Sequence, residues 1–133
     1  MARITASIKK ELYKTEIHSS SGNLLIADEP ETVGGKNQGF SPTELLASSL
    51  AACTSATLRM YADRKGWDLE EVKLEIILEV NRDEKRTEIH RKIELIGNLD
   101  QAQRDRMLAI ANACPVHKIL SGTIAIQTEL KRN

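Results

Sequence analysis

Apolar residues alternate with polar ones at Ile4, Ala6 and Ile8, and a short apolar run follows at Leu24 to Ala27 after Ser20, Ser21, Gly22 and Asn23. Period-two alternation across a polar turn predicts an antiparallel hairpin. A loop rich in breakers comes next, from Pro30 to Gly39. The spacing then changes. Ser41 is a good N-cap, Pro42 suits the first helical position, and Glu44 completes an S-x-x-E capping box. The helix these residues open runs to about Lys65, where Gly66 stops it. Leu46, Leu50, Cys53, Ala56 or Thr57, and Met60 recur at i+3/i+4 and are the expected core stripe. Ala47, Ser48, Ser49, Ala51, Ala52 and Ser55 around them are small, and no charge falls between Leu45 and Leu58. This pattern predicts a central helix packed closely by other backbone.

Val72, Leu74, Ile76, Leu78 and Val80 alternate with mostly charged partners, the pattern of a half-buried strand. Asn81 to Lys85 is a polar turn, and Thr87 to Ile96 is a second strand that pairs back. Asp100 with Gln103 makes another capping box and opens a helix from Gln101 to about Asn112. Pro115 starts a short helix that ends before Gly122. Thr123 to Leu130 alternates again and reads as a last strand. The order β-β-α-β-β-α-(α)-β has its strands in hairpins and not in βαβ units, so an α+β fold with antiparallel sheet is expected. At 133 residues the chain, 1–133, has the length of a single domain.

Composition narrows the function classes. Lys+Arg and Asp+Glu each number 19, so no charge excess points to nucleic acid or a membrane surface. No apolar run approaches the ~20 residues of a membrane helix. Met1 to Ile17 carries charges throughout and lacks a signal-peptide core. A cytoplasmic location is expected, where a structural disulfide is disfavoured and a catalytic one is plausible.

The chain holds two cysteines, Cys53 and Cys114. Cys53 lies on the apolar stripe, where a cysteine commonly serves as a small core residue. To be reactive there it needs a cation or donor from elsewhere in the fold. Cys114 precedes Pro115 at a helix start, where backbone N–H groups stabilise a thiolate, and Lys118 adds charge one turn on. A plain N-cap is the competing reading. Glu44 needs no role beyond its capping box. It precedes Cys53 by about two and a half turns, so it is not a same-face neighbour, and it can act only by orienting another residue. Cys53, Cys114 and His117 do not make a zinc pattern, so no metal is expected. Gly34, Gly35 and Gly39 do not form a nucleotide loop, so no cofactor is expected. Ser41, Ser48 and Ser49 lack a nucleophile-elbow context.

F-S-P-T-E-L-L-A-S-S-L-A-A-C-T (Phe40 to Thr54) and A-C-P-V-H-K-I-L (Ala113 to Leu120), in that order, resemble the signature segments of the OsmC/Ohr family, the osmotically inducible protein C and organic hydroperoxide resistance proteins. The resemblance covers nearly the whole chain. It implies an intertwined homodimer in which sheet wraps long central helices, and a thiol-dependent peroxidase acting on organic hydroperoxides. Cys53 matches the peroxidatic cysteine, Cys114 the resolving cysteine, and Glu44 the glutamate that pairs with an activating arginine. An external dithiol reductant is the implied partner. The chain departs from the Ohr pattern in having no arginine between Arg3 and Arg59. The expected substitute is Lys36 or a basic residue supplied by the partner subunit, with Arg82, Arg86 and Arg91 as candidates. The C-P-V-H motif is closer to the wider OsmC-like branch. A non-catalytic protein that binds a small ligand in the same cleft is the second reading.

Overall fold

The computed structural model describes residues 1–132. Three strands open the chain: β1 (Ile4–Ile8), β2 (Thr15–Ser19) and β3 (Leu24–Ala27). They form one antiparallel sheet in the order β1-β2-β3, with Ile4 opposite Ser19, Ile8 opposite Thr15, and His18 opposite Leu24. The Ser20–Asn23 turn therefore joins β2 to β3, and β1 pairs with β2. The expected hairpin exists, but its first strand is β2. T-E-I-H-S holds one apolar residue, and alternation cannot flag a strand that buries so little.

Helix α1 (Pro42–Lys65) keeps the expected bounds. The Ser41 N–H donates to Glu44 Oε1 at 2.9 Å, and the Glu44 N–H donates to Ser41 Oγ at 3.3 Å. Gly66 ends the helix at φ +70°, a conformation that costs glycine little. The buried stripe differs from the one expected. Leu50, Thr54, Leu58, Tyr61 and Ala62 are buried, whereas Leu46 is 42% and Met60 69% exposed. Cys53 is intermediate. With no charge to mark an outer face, the sequence held two apolar stripes, and the inward one runs through a threonine.

Strands β4 (Asp68–Asn81) and β5 (Arg86–Asn98) pair across the short turn between them, as the alternation predicted. Gly97, at φ +151°, lets β5 pass close to β4; a Cβ there would collide with the Asp68 carbonyl. Helix α2 (Gln101–Asn112) has the full capping box, with the Gln103 N–H on Asp100 and the Asp100 N–H on the Gln103 side chain. Helix α3 (Pro115–Ser121) follows at once. Beyond it, Thr123 to Leu130 belongs to no strand, contrary to expectation, and is exposed throughout. A strand needs a hydrogen-bonding neighbour, and none of the described residues supplies one.

The chain divides into two compact units, Met1–Ser48 with Leu78–Glu88, and Ser49–Ile77 with Ile89 onward. In the first, the buried Asp28 carboxylate accepts N–H bonds from Tyr13, Glu29, Lys36 and Gln38 and so gathers the β3–α1 loop. In the second, Leu58, Tyr61 and Ala62 of α1 pack with Leu69 of β4, and with Leu99, Met107 and Ala111. Arg104 fastens α2 to the end of β5 by donating to the carbonyls of Leu95, Gly97 and Leu99. Among the described residues no helix is long and apolar enough to cross a membrane.

Candidate active site

The second unit brings Cys53 and Cys114 together at the start of α3. Cys114 is the N-cap of that helix, and its Sγ accepts the His117 N–H at 3.4 Å. Cys53 reaches the same turn from α1, where its Sγ accepts the Val116 N–H at 3.5 Å. Pro115 between them has no N–H to give, so the two amides freed at the helix start are shared between the two sulfurs. The sulfurs differ in access. Cys53 is half-buried, and Cys114 is fully buried.

Thr54, the neighbour of Cys53, is also fully buried. Its hydroxyl donates to the Leu50 carbonyl at 2.7 Å and lies 3.9 Å from Cys114 Sγ. Arg91 completes the cluster from β5. One arm, Nη1, donates to Thr54 Oγ1 at 2.9 Å and lies 4.0 Å from Cys114 Sγ. The other arm, Nη2, donates to Asn112 Oδ1 at 3.0 Å and to His117 Nδ1 at 3.0 Å. Arginine can only donate, so Nδ1 is the acceptor and the neutral His117 ring carries its proton on Nε2.

These contacts set the electrostatics. Burial pushes the Cys114 thiol up, but the His117 N–H, the neighbouring Thr54 and Cys53 side chains and the Arg91 charge together bring it below its ordinary value. A lowered thiol beside a second thiol is equipped for disulfide chemistry.

The sequence singled out Cys53 and Cys114, and the fold places them together. Glu44 remains in its capping box, its carboxylate held below the usual range by the Ser41 N–H and hydroxyl. Arg91 was foreseen only as a residue supplied by a partner subunit, and it reaches Cys114 within its own chain. The sequence signal for it was parity. Ile89, Arg91, Ile93 and Leu95 are alternating half-buried positions of β5, so Arg91 is a cation on the inward face. Thr54, Asn112 and His117 were not picked out together. Among the described residues no three His, Cys, Asp or Glu side chains converge as metal ligands.

Comparison with known proteins places the chain in a family. A comparison with curated proteins gives no significant match. Among solved structures, a candidate osmotic-stress-induced and detoxification response protein from Psychrobacter arcticus is similar at 30% identity, over 90% of this chain and 88% of that one, with a TM-score of 0.78. The OsmC-like protein from Mycoplasma pneumoniae shares the fold at 22% identity over 92% and 88%, also at 0.78. The organic hydroperoxide resistance protein OhrB of Bacillus subtilis shares it at 22% identity over 98% of each chain, at 0.62. The OsmC-like family profile matches residues 35–129, a span that contains both cysteines and Arg91. The chain therefore belongs to the OsmC-like protein family.

Proposed function

We propose that this protein is a thiol-dependent peroxidase that reduces organic hydroperoxides. One observation carries the reading: a half-exposed Cys53 and a buried Cys114 share the first turn of α3. Cys53 is the sulfur a substrate can reach. Once deprotonated, it attacks the distal peroxide oxygen, the O–O bond breaks, and the alkoxide leaves and takes a proton to become the alcohol. The sulfenic acid on Cys53 then meets Cys114, which displaces hydroxide and forms a Cys53–Cys114 disulfide. An external dithiol returns both cysteines to thiols by exchange. Glu44 enters as the glutamate of the family pattern, an ionised orienting group. The resting dithiol suits a reducing cytoplasm.

A homodimer is part of this proposal. Leu46 and Met60 leave an apolar outer stripe on α1, and Thr123 to Leu130 alternates with Ile124, Ile126 and Leu130 exposed. Both are surfaces that a second copy would cover.

The test is turnover of cumene hydroperoxide with a dithiol reductant. Cys53→Ser is expected to abolish it. Cys114→Ser is expected to oxidise once and then stall without a disulfide. Equal peroxide consumption by wild type and Cys53→Ser would sink the reading and favour a ligand-binding role for the same residues.

A further inference from the structure

Arg91 is a part-buried guanidinium whose neighbours are Thr54, Asn112, His117 and Cys114. None is a carboxylate. The first three are neutral acceptors that take three of its five N–H groups and leave its charge uncompensated on the side that faces the buried sulfur. Of the four, only Cys114 can become an anion. It is also the sulfur with no access to solvent, so no water can stabilise its charge in place of the protein. The Arg91–Cys114 separation is long for a hydrogen bond, but charge attraction falls slowly with distance.

We propose that in the reduced protein the negative charge rests on Cys114 and not on Cys53, that Arg91 is the positioning residue that keeps it there, and that Cys114 is the base that takes the Cys53 proton. The titratable groups facing Cys114 are Cys53 from α1, Arg91 from β5 and, through the other arm of Arg91, His117 from α3. No acid faces it among the described residues. The direction in which the Cys114 thiol is shifted agrees, and Cys53 sits on the adjoining amide of the same helix turn.

The resting pair is then one thiol and one thiolate sharing a proton. As Cys53 attacks the hydroperoxide, its proton passes to Cys114. The peroxide accepts the sulfur electron pair, the O–O bond breaks, and the departing alkoxide takes the proton from Cys114. Cys114 is a thiolate again when it attacks the Cys53 sulfenic acid and expels hydroxide. One thiol, one thiolate and one hydroperoxide give one disulfide, one alcohol and one hydroxide. The two sulfurs supply the two electrons. Arg91 therefore serves both steps while touching neither substrate nor Cys53.

The base role rests on the peroxidase reading, whereas the resting charge does not, so the test begins without peroxide. Thiolate absorbance in the ultraviolet is followed against pH in the reduced wild type, Cys53→Ser and Cys114→Ser. The lower of the two thiol midpoints is expected to survive in Cys53→Ser and to vanish in Cys114→Ser. In the Cys53→Ser background, Arg91→Met is expected to shift that midpoint upward and Arg91→Lys to restore part of the shift. Survival of the low midpoint in Cys114→Ser overturns the assignment. So does an unmoved Cys114 midpoint in an Arg91→Met protein of native circular dichroism. Should Arg91→Met fail to fold, the two cysteine variants decide the matter with Arg91 in place. In single-turnover oxidation with both cysteines present, Arg91→Met is expected to slow Cys53 oxidation at neutral pH and recover as pH rises; a slowing that pH does not relieve overturns the base role. A protein that shows the titration but leaves hydroperoxides intact would lose the peroxidase reading and keep the charge on Cys114.

Discussion

At the scale of single residues, the features that matter most are polar groups in apolar settings. Asp28 is buried yet ionised. Burial pushes its carboxyl up, and the N–H groups of Gln38, Glu29, Tyr13 and Lys36 more than reverse the effect, leaving it below the ordinary value. A lowered folded value means stability that is fully present above the unfolded carboxylate value, about 3.9, and lost as pH falls through the folded one. Asp28→Asn is therefore expected to unfold at a lower temperature at neutral pH, because its amide N–H2 faces donors that need an acceptor. The gap to wild type should close as pH drops below about 4, which thermal melts across pH would show. Arg91 and Thr54 obey the same logic in the other unit. Each interrupts an apolar face, and each is now explained by the sulfur beside it. Their importance was hidden in the sequence because local pattern cannot say which inward polar residue meets which. Arg91 differs from Arg86 and Lys92 only in parity, and its partners lie far away along the chain.

At the scale of elements, the local signals were strong wherever the chain carries its own punctuation. Ser41 with Glu44, Asp100 with Gln103, and Pro115 each fix a helix start through bonds that lie within one turn. Asp100→Ala is expected to cost about 1 kcal/mol, as an N-cap loss does, measured by chemical denaturation. The β4–β5 pairing was equally legible, since its inward face alternates over many residues. β2 was not, because a strand in an exposed sheet needs no apolar code. The inward stripe of α1 was misread for a related reason. An uncharged helix with small residues all round gives no local mark of inside and outside. Leu58 settles the matter: it is fully buried in the cluster with Met107 and Leu99. Leu58→Ala is expected to destabilise by about 3 kcal/mol, whereas Met60→Ala, on the opposite face, should change the unfolding free energy of an isolated subunit far less.

For the molecule as a whole, the remaining question is what covers its apolar outside. Leu46 and Met60 on α1, Leu108 on α2, Ile119 on α3, and Ile124 and Ile126 beyond it are all exposed. So much apolar surface suits a chain that completes itself by pairing. Met60→Glu is expected to shift the proposed homodimer toward monomer in sedimentation or light scattering; an unchanged mass would remove α1 from the interface. The expected last strand belongs to this scale as well. Its alternation was plain in the sequence, but a strand is a relation between two segments, and the described residues offer Thr123 to Leu130 no neighbour.

The shared first turn of α3 has one more consequence. Val116 and His117 give their amides to Cys53 and Cys114, and a disulfide sulfur attracts the His117 donor far less than the Cys114 thiolate does. Joining the sulfurs should therefore loosen the turn that holds them. In deuterium, the amide of His117 is expected to exchange faster in the oxidised protein than in the reduced one, while those in the middle of α2 keep their protection. The short helix would then report the redox history of the site in the lifetime of one proton.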